Sequence, residues 1–331
     1  MKTKTIVFTA PRTVELREMK TPELGKDLVR VKTEYTVVSG GTEKANLCFY
    51  KKFPAYPGYC GIGTVEEIGP EVRNVSVGDR VLVYHGRHAA RNTVPEQNVT
   101  KVEDDGIPSE DAVFVIMASM GLGGVRKLAI EVGESAMVMG LGLLGLFAVG
   151  FCRLSGACPV IAVDPNPERR SLALKLGADE ALDPGEPDFS ERVKALTGGK
   201  GVNAVVEVTG ISAALKQALS CTARIGRVAL LGCTRVSDTC IDFYREVHLP
   251  GITLIGAHNF FPRPKSDSYP HNWTHQDDCK AILKLVSAGR ISMHPILSRI
   301  VKPDDAARIY GELCNDPAFP VGTVFDWRDE A

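Results

Sequence analysis

The sequence lacks the long runs that mark membrane-spanning or nucleic-acid-binding chains. Among its 331 residues no apolar stretch is long enough to cross a bilayer, and no run of lysine or arginine stands out. With 39 basic and 40 acidic residues the formal net charge is −1, so a nucleic-acid surface is not indicated. Too few apolar residues precede Pro11 for the core of a signal peptide. We therefore expect a cytoplasmic protein that binds neither nucleic acid nor membrane.

Signals for cysteine pairing are also missing. The nine cysteines are scattered along the chain, and none belongs to a Cys-x-x-Cys pair. An odd number without paired spacing favours reduced thiols over a disulfide framework. The chain does have 44% hydrophobic residues, enough for full cores in the roughly two domains that its length suggests.

One glycine-rich stretch in the middle of the chain has the pattern of a nucleotide-binding unit. A short apolar run at 136–139 predicts a strand, and Gly140, Gly142 and Gly145 follow it with GxGxxG spacing. A second apolar run ends at Asp164, about twenty residues after the last glycine, where such units place a ribose-binding acid. The order strand, turn, helix, strand therefore predicts a dinucleotide site. The alternative is a glycine-rich turn between buried elements.

Each residue of the turn has a physical role in this prediction. Gly140 allows a tight turn, Gly142 admits a pyrophosphate next to the backbone, and Gly145 lets the following helix pack closely on the strand. The N–H groups around Leu143 and Leu144 then face the phosphates at the positive end of the helix dipole.

The acid at the end of the second run bears on which dinucleotide binds. Asp164 is expected to accept hydrogen bonds from both ribose hydroxyls, and its charge would repel a 2′-phosphate. The sequence therefore favours NAD over NADP.

Residues 1 to about 112 have the pattern of a small β-barrel. From Leu28 to Val38 alternate residues are apolar, which predicts a half-buried strand. More short strands are expected near 61–68 and 80–84, divided by turns that contain glycine, proline and asparagine. Many short strands with such turns favour a barrel over a βαβ sheet.

From about Ser109 the pattern changes to alternating helices and strands. Apolar runs recur at 204–208, 227–231 and 252–255 with helical patterns between them, which predicts a doubly wound parallel sheet. Ligands of such sheets bind outside the carboxyl ends of the strands. The further residues expected at this cofactor edge are Thr209, Gly210, Leu231, Gly232, Cys233, Ala257, His258 and Asn259.

The C-terminal part is expected to hold one helix and one final strand. Thr274 is a plausible N-cap with Asp277 three residues later, and the helical pattern stops near Gly289. Just before and at the start of this helix lies a polar and aromatic cluster, which is expected either to bind hydroxylated substrates or to form a surface loop or oligomer contact. Its members are Tyr269, His271, Asn272, Trp273 and His275.

Several segments together carry a resemblance to a known family. They are GGTEKANL at 40–47, FPAYPGYCGIGTVEEIGPEV at 53–72, VSVGDRV at 75–81 and ALKLGADEALD at 173–183. The chain resembles the medium-chain dehydrogenase/reductase superfamily over essentially its whole length, in particular the zinc-type alcohol, threonine and sorbitol dehydrogenases. This resemblance implies an α/β fold with a Rossmann-type doubly wound parallel sheet and a GroES-like β-barrel catalytic domain.

The resemblance also implies domain limits and partners. We expect a catalytic domain at 1–115, an NAD-binding domain at 116–257 and a C-terminal return at 258–331 that completes the catalytic domain. Asp164 and Arg169 match the family's adenosine-ribose acid and a nearby basic residue. The expected cofactor is NAD, the expected partner a small-molecule substrate, and the expected assembly a homodimer or homotetramer paired through the sheet edge near 252–256.

The zinc ligands of the family are replaced in this sequence. By resemblance, Gly40 stands in place of the ligand cysteine, and Tyr59 and Cys60 stand in place of histidine and glutamate. The remaining ligand position falls near Ile116 or Met117. A catalytic zinc needs three protein ligands and a water, so we predict a zinc-free enzyme with no metal ligands. The alternative is a site rebuilt from other residues, for which the candidates are Cys60, His85, His88, His271 and His275.

Without zinc, hydrogen-bond donors must stabilise the oxyanion that develops during hydride transfer. Tyr59 is the first candidate for this donor, and Thr42 and Glu43 are candidates for the proton relay. His88 could act as acid or base near neutral pH. The alternatives are a packed tyrosine, a solvated turn at 42–43 and a solvent-facing loop histidine.

Three functions are compatible with these residues. The first is interconversion of an alcohol and a ketone on a sugar, polyol or cyclitol, which the family resemblance favours. The second is reduction of a conjugated alkene or quinone, a reaction of zinc-free relatives. The third is a catalytically silent NAD-binding protein.

Overall fold

The computed structural model describes residues 1–49, 52–258 and 273–330, and these contain helices and strands throughout. The strands are β1 (Lys2–Ala10), β2 (Thr13–Lys20), β3 (Leu28–Val37), β4 (Cys60–Ile68), β5 (Arg80–Tyr84), β6 (Arg91–Pro95), β7 (Val99–Lys101), β8 (Ala136–Met139), β9 (Val160–Val163), β10 (Glu180–Leu182), β11 (Val202–Glu207), β12 (Thr222–Leu230), β13 (Thr253–Gly256), β14 (Arg299–Val301) and β15 (Thr323–Asp326). The α-helices are α1 (Gly40–Phe49), α2 (Ser109–Ala112), α3 (Val115–Lys127), α4 (Leu143–Leu154), α5 (Pro167–Lys175), α6 (Phe189–Leu196), α7 (Ser212–Cys221), α8 (His275–Ser287) and α9 (Ala306–Asn315). Within the described ranges, no helix is both long and apolar enough to cross a membrane.

The chain divides into two compact units. The β-rich unit comprises residues 1–117 and 279–331, and the parallel-sheet unit comprises residues 118–278. The second boundary lies later than the expected 257/258, because the first turn of α8 is anchored in the parallel-sheet unit. There Asp278 pairs with Arg126 at 2.9 Å and His275 Nδ1 lies 3.1 Å from Ser119 Oγ. The first boundary was expected at 115/116. In the structure it lies two residues later, inside α3, which continues across it without a break.

The β-rich unit is built on a seven-stranded sheet. Its strand order is β14-β15-β3-β4-β5-β7, with β6 also paired to β3, and β1 and β2 form a separate antiparallel pair. The expected strand at Leu28 is confirmed, but its polar face is not fully exposed. Arg30 is buried, because its guanidinium pairs with Glu67 and donates to the carbonyl of Pro22 at 2.9 Å.

Two helices close one core of the β-rich unit. Helices α1 and α9, which the sequence patterns did not predict, pack against each other, and α9 also packs against β2. The core residues they share include Leu47 and Leu313, which are 1% and 5% exposed. Large aromatic side chains fill the rest of this core, among them Phe8, Tyr310, Phe325 and Trp327.

The parallel-sheet unit has the strand order β10-β9-β8-β11-β12-β13, and all of its pairings are parallel. Counted from β8, this is the order 3-2-1-4-5-6 of a dinucleotide-binding fold. Strands β8 and β9 are buried along their whole length, as the continuous apolar runs predict. Because the chain leaves β8 toward one side and enters β11 on the other, a crevice opens at their carboxyl ends.

The predicted start of α8 is confirmed by its capping contacts. Thr274 Oγ1 accepts the N–H of Asp277 at 3.1 Å, and the N–H of Thr274 donates to the Asp277 carboxylate at 2.9 Å. This reciprocal pair satisfies N–H groups that have no partner inside the helix. Gly289, two residues past the helix, has φ of +65°, as the predicted stop requires.

Candidate functional site

The glycine turn lies between β8 and α4, at the crevice of the parallel sheet. Gly140 has φ of +96°, and a Cβ there would lie 2.9 Å from Thr209 Cγ2. A Cβ on Gly145 would lie 1.8 Å from the carbonyl oxygen of Gly140, so the helix could not approach the turn with any side chain there. Gly142 differs from both, because a Cβ there meets no atom within 4 Å. The backbone at Gly142 therefore faces open space.

Helix α4 begins directly after this open position. Gly142 is its N-cap and supplies no side-chain hydrogen bond, so Leu143 and Leu144 stand in the first turn with their N–H groups at the positive end of the helix. Such a helix start binds phosphate, and the residues present fit the pyrophosphate of a dinucleotide.

The acid at the end of β9 is held rigidly beside the turn. Asp164 is 5% exposed, and its carboxylate accepts the N–H of Leu141 at 2.8 Å and the N–H of Asn166 at 2.9 Å. Arg169 Nη1 lies 3.9 Å from the same carboxylate. Each carboxylate oxygen can accept more than one hydrogen bond, so Asp164 keeps acceptor capacity for a ribose.

Several other residues predicted at the cofactor edge lie together at the ends of β11 and β12. A Cβ on Gly210 would lie 2.7 Å from the carbonyl oxygen of Cys233, and one on Gly232 would lie 2.3 Å from the nitrogen of Gly210. The side chain of Leu231 instead packs against α3. A Cβ built on Gly124 of that helix would lie 3.1 Å from the Leu231 side chain.

The residues predicted after β13 continue this edge only in part. Ala257 is buried, and its N–H donates to the carbonyl of Leu230 at 3.1 Å. His258 follows in an exposed position, and Asn259 lies outside the described residues.

Sequence reasoning missed Glu207, the last residue of β11. It is fully buried, and its carboxylate accepts both the N–H of Thr209 at 2.7 Å and the Thr209 hydroxyl, and weakly the N–H of Gly210. Burial raises the pKa of Glu207, and these hydrogen bonds oppose the rise. The available signal was a single acid inside the apolar run 204–208, two positions before Thr209.

A second cluster of polar residues surrounds Tyr59 in the β-rich unit. The phenol oxygen of Tyr59 lies 2.6 Å from Ser39 Oγ, and the nearby Thr42 side chain acts to lower the pKa of the phenol. Burial raises the pKa of Tyr59 strongly. The phenol therefore keeps its proton and acts as a hydrogen-bond donor rather than as a base.

Glu43 and His88 form a buried network, and both alternatives considered for them are wrong. Glu43 is not in a solvated turn but in α1, 1% exposed, and His88 is 0% exposed rather than solvent-facing. His88 Nε2 lies 3.2 Å from Glu43 Oε1, and the hydroxyl of Tyr310 donates to Glu43 Oε2 at 2.7 Å. On the other side of the ring, His88 Nδ1 lies 2.6 Å from Thr36 Oγ1.

This burial changes the role that Glu43 and His88 can have. Neither side chain reaches the surface of its unit, so neither is placed to touch a substrate directly. Instead, the Glu43 carboxylate connects α1 to His88 and to Tyr310 of α9. The sequence offered no signal for their partners Thr36 and Tyr310, or for Trp327, which donates to Thr36 Oγ1.

The positions that the family resemblance assigns to zinc ligands are Gly40, Tyr59, Cys60 and the region of Ile116 and Met117. Cys60 Sγ lies 3.6 Å from Met117 Sδ and is buried. Of these positions only Cys60 carries an ordinary zinc ligand, because zinc binds cysteine, histidine and carboxylate side chains and Gly40 has no side chain. Among the described residues no three His, Cys, Asp or Glu side chains come together as a metal-binding group. These residues do not fit a catalytic zinc ion.

The described histidines considered for a rebuilt metal site each contact a different residue. His85 stacks on Tyr84 with ring centroids 4.0 Å apart, His88 faces Glu43, and His275 faces Ser119. His271 lies outside the described residues, as do Tyr269 and Asn272 of the polar cluster.

Two family models match the chain. The alcohol dehydrogenase GroES-like domain matches residues 25–135, and the zinc-binding dehydrogenase model matches residues 144–269.

Named relatives cover most of the chain. The L-threonine 3-dehydrogenase of Pyrococcus horikoshii is 30% identical and aligns with 88% of this chain and 89% of its own length. The D-guloside 3-dehydrogenase of Escherichia coli K12 is 25% identical, over 90% of this chain and 92% of its own. Among solved structures, a dehydrogenase of Sinorhizobium meliloti 1021, assigned to the zinc-binding class and bound to NADP, has a TM-score of 0.83 at 22% identity. The superposition covers 98% of this chain and 99% of that one, and it shows a shared fold.

Proposed function

Because this chain belongs to the medium-chain dehydrogenase/reductase superfamily, we propose that it interconverts an alcohol and a ketone on a sugar, polyol or cyclitol-like substrate, with NAD(H) and without zinc. Its relatives make it a nicotinamide-dependent oxidoreductase; the substrate class, the choice of NAD and the absence of zinc are the parts proposed.

The observation that carries the proposal is the open backbone of Gly142 at the start of α4. A Cβ there would meet nothing, while the glycines on either side are crowded by protein atoms. Open space beside an uncapped helix N-terminus, at the crevice between β8 and β11, is where the pyrophosphate of a dinucleotide would lie. When bound, the nicotinamide ring accepts or delivers the hydride.

The choice of NAD rests on Asp164. Its buried carboxylate is fixed by two backbone N–H groups and would accept the ribose hydroxyls, whereas a 2′-phosphate would place negative charge against it. Arg169, 3.9 Å away, is the residue that would favour a phosphate. Since the Sinorhizobium protein was solved with NADP, both cofactors belong in any test.

Tyr59 is proposed to take the part that zinc plays in relatives. Its protonated phenol would donate a hydrogen bond to the substrate oxygen, which becomes negative as hydride arrives at the carbon. In ketone reduction the phenol proton would pass to that oxygen. Ser39, which lies at hydrogen-bond distance from the phenol, and the nearby Thr42 would then relay a proton from solvent to the phenol oxygen. Glu43 and His88 would position Thr42 beside the phenol, because their contact holds α1, the helix that carries Thr42.

The substrate class rests on the relatives and on this polar group. The threonine and guloside dehydrogenases are named for substrates with hydroxyl groups. The hydroxyl groups of Ser39 and Thr42 suit a hydroxylated substrate better than they suit an apolar enone.

Assembly is also proposed from the fold. Strand β13 is the last strand of the parallel sheet, and no further strand of the described residues pairs with its outer edge. We expect two copies to pair there as a homodimer or within a homotetramer, which size-exclusion chromatography with light scattering would measure.

A substrate panel tests the proposed function. Polyols, sugars and cyclitols with NAD and NADP, and enones and quinones with NADH and NADPH, would be followed by nicotinamide absorbance, each with and without a zinc chelator. We expect turnover of a hydroxylated substrate with NAD, unchanged by the chelator, and no stoichiometric zinc by metal analysis. Turnover of enones alone would indicate the alkene-reductase class, and activity lost on chelation would contradict the zinc-free proposal.

A further inference from the structure

Two cysteines far apart in sequence meet between α1 and α9. Cys48 Sγ lies 3.0 Å from Cys314 Sγ, and both thiols are free and half-buried. We propose that Cys48 and Cys314 form a redox-active pair, a site at which a hydroperoxide or a small-molecule disulfide oxidises both thiols to one intramolecular disulfide.

The two sulfur atoms are held together by the packing around them. Leu47 and Leu313, the residues next to the cysteines, are buried in the same core. Arg12 joins the two helices, because its N–H donates to the carbonyl of Leu47 at 3.1 Å and its guanidinium donates to Asn315 Oδ1 at 2.5 Å. The thiols therefore meet because the fold fixes both helices, and a disulfide needs little movement of either.

The charges nearby assign different roles to the two thiols. Burial and the hydrogen bond with Cys48 raise the pKa of the Cys314 thiol to about 11, while Arg12 and Lys44 act to lower it. Cys314 therefore keeps its proton at neutral pH and serves as the donor in the pair. We assign the first attack on the oxidant to its partner, Cys48.

The oxidation by a hydroperoxide balances in two steps. The Cys48 thiolate attacks the terminal peroxide oxygen, so that an S–O bond forms, the O–O bond breaks and an alcohol leaves after it takes up a proton. Cys314 sulfur then attacks the sulfenic sulfur of Cys48, the S–O bond breaks, and the leaving hydroxide takes the Cys314 proton as water. Two thiols are oxidised, and the peroxide is reduced to alcohol and water.

The disulfide would link the two helices that carry the buried network. Helix α1 holds Glu43, and α9 holds Tyr310, whose hydroxyl donates to Glu43. A covalent bond between Cys48 and Cys314 would constrain the unfolded chain and hold this contact closed. The oxidised β-rich unit should therefore resist unfolding more than the reduced one.

The test uses the full chain treated with about one equivalent of hydrogen peroxide and then alkylated. We expect the number of free thiols to fall from nine to seven, with the loss of the mass of two hydrogen atoms and full reversal by a thiol reductant. Trypsin under non-reducing conditions should yield one cross-linked product that joins residues 45–51 to residues 309–328.

Matched variants separate this pair from other cysteines. Cys48→Ser and Cys314→Ser should each abolish the cross-linked product, whereas Cys158→Ser, at an exposed cysteine, should leave it intact. Oxidation should also move the urea midpoint upward in the wild-type chain and in Cys158→Ser, but not in Cys314→Ser. Oxidation confined to Cys158 and other exposed cysteines, or loss of two thiols that persists in Cys48→Ser, would overturn the proposal.

Discussion

At the scale of single residues, Tyr59 shows how burial selects a chemical role. An exposed phenol has a pKa of about 10 and can serve as acid or base in alkaline solution. Burial raises the pKa of Tyr59, and Ser39 lies at hydrogen-bond distance, so the phenol is kept neutral and oriented. Neutral donors fixed in place stabilise a developing oxyanion without reorganisation.

Removal of this phenol is the first prediction. Tyr59→Phe should lower kcat about 100- to 1000-fold, as loss of one oxyanion donor does in other enzymes, with a smaller effect on KM. Steady-state kinetics on the substrate found in the panel would measure it. Tyr56→Phe, at an exposed tyrosine of the same unit, is the control and should retain full activity. A Tyr59→Phe enzyme with normal kcat would remove the phenol from the mechanism.

The pH dependence follows from the direction of the same shift. Because the functional form of Tyr59 is protonated and burial moves its pKa upward, its loss of a proton should occur above the usual value of about 10. The profile of kcat in ketone reduction should therefore show no fall caused by this group between about pH 7 and 10. A basic limb in that range that disappears in Tyr59→Phe would contradict the assignment.

The proposed preference for NAD rests on the charge of Asp164. Asp164→Asn removes this charge and leaves one acceptor oxygen in place of two, of which Oδ2 accepts the N–H of Leu141 and Oδ1 the N–H of Asn166. NAD binding should weaken by about 1.5–3 kcal/mol, roughly 10- to 100-fold in Kd, while NADP should lose less. Titration of nicotinamide fluorescence with both reduced cofactors would measure the ratio. Asp188→Asn, at an exposed acid of the same unit, should leave both affinities unchanged.

At the scale of elements, the glycine turn contains residues with three different reasons to be glycine. Gly140 adopts a left-handed backbone, Gly145 is crowded by the carbonyl of Gly140, and Gly142 has an ordinary φ of −69° in open space. The spacing in the sequence is the same signal for all three. Only the positions of neighbouring atoms show that Gly142 is free of protein contacts and therefore available to a ligand.

This difference predicts a variant that loses binding without losing stability. Gly142→Ala should leave the free energy of unfolding unchanged or raise it by about 0.4–1 kcal/mol, because the unfolded chain loses freedom and nothing clashes in the fold. Its Cβ would occupy the space of the pyrophosphate, so the Kd for NADH should rise at least about tenfold. Urea unfolding and fluorescence titration give the two values. Gly311→Ala in α9, where a Cβ also meets nothing, should leave the Kd unchanged.

Strands of the parallel sheet were predicted, whereas helices α1 and α9 of the β-rich unit were not. The apolar runs that became β8 and β9 are continuous and buried, so their type follows from composition and length. Helix α1 escaped prediction, because its glycine pair and polar residues resemble a turn until Leu47 and Glu43 are seen to be buried by distant parts of the chain.

At the scale of the whole molecule, each unit contains one tryptophan. Trp327 is 0% exposed in the core of the β-rich unit and donates to Thr36 Oγ1 at 2.9 Å, whereas Trp273 lies in the parallel-sheet unit under the guanidinium of Arg126. Their fluorescence therefore reports on the two units separately.

A cofactor should stabilise the two units unequally. The glycine turn, Asp164 and Glu207 all belong to the parallel-sheet unit, so NAD at about 100 times its Kd should stabilise that unit by about 2.7 kcal/mol. Urea unfolding of the wild-type chain and of Trp273→Phe, in which Trp327 alone emits, would separate the two transitions. Equal shifts in both would instead indicate that the units unfold as one.

The sequence alone determined what depends on neighbours along the chain. Hydrophobic period and glycine spacing predicted the parallel sheet, the turn at Gly140 and the cap at Thr274, because each rests on residues within one or two elements. Tertiary structure decided what depends on distant contacts: the burial of His88 and Glu43, the boundary after Asp278 and the meeting of Cys48 with Cys314. Burial and long-range pairing are set by packing between segments tens to hundreds of residues apart, and no local pattern carries that information.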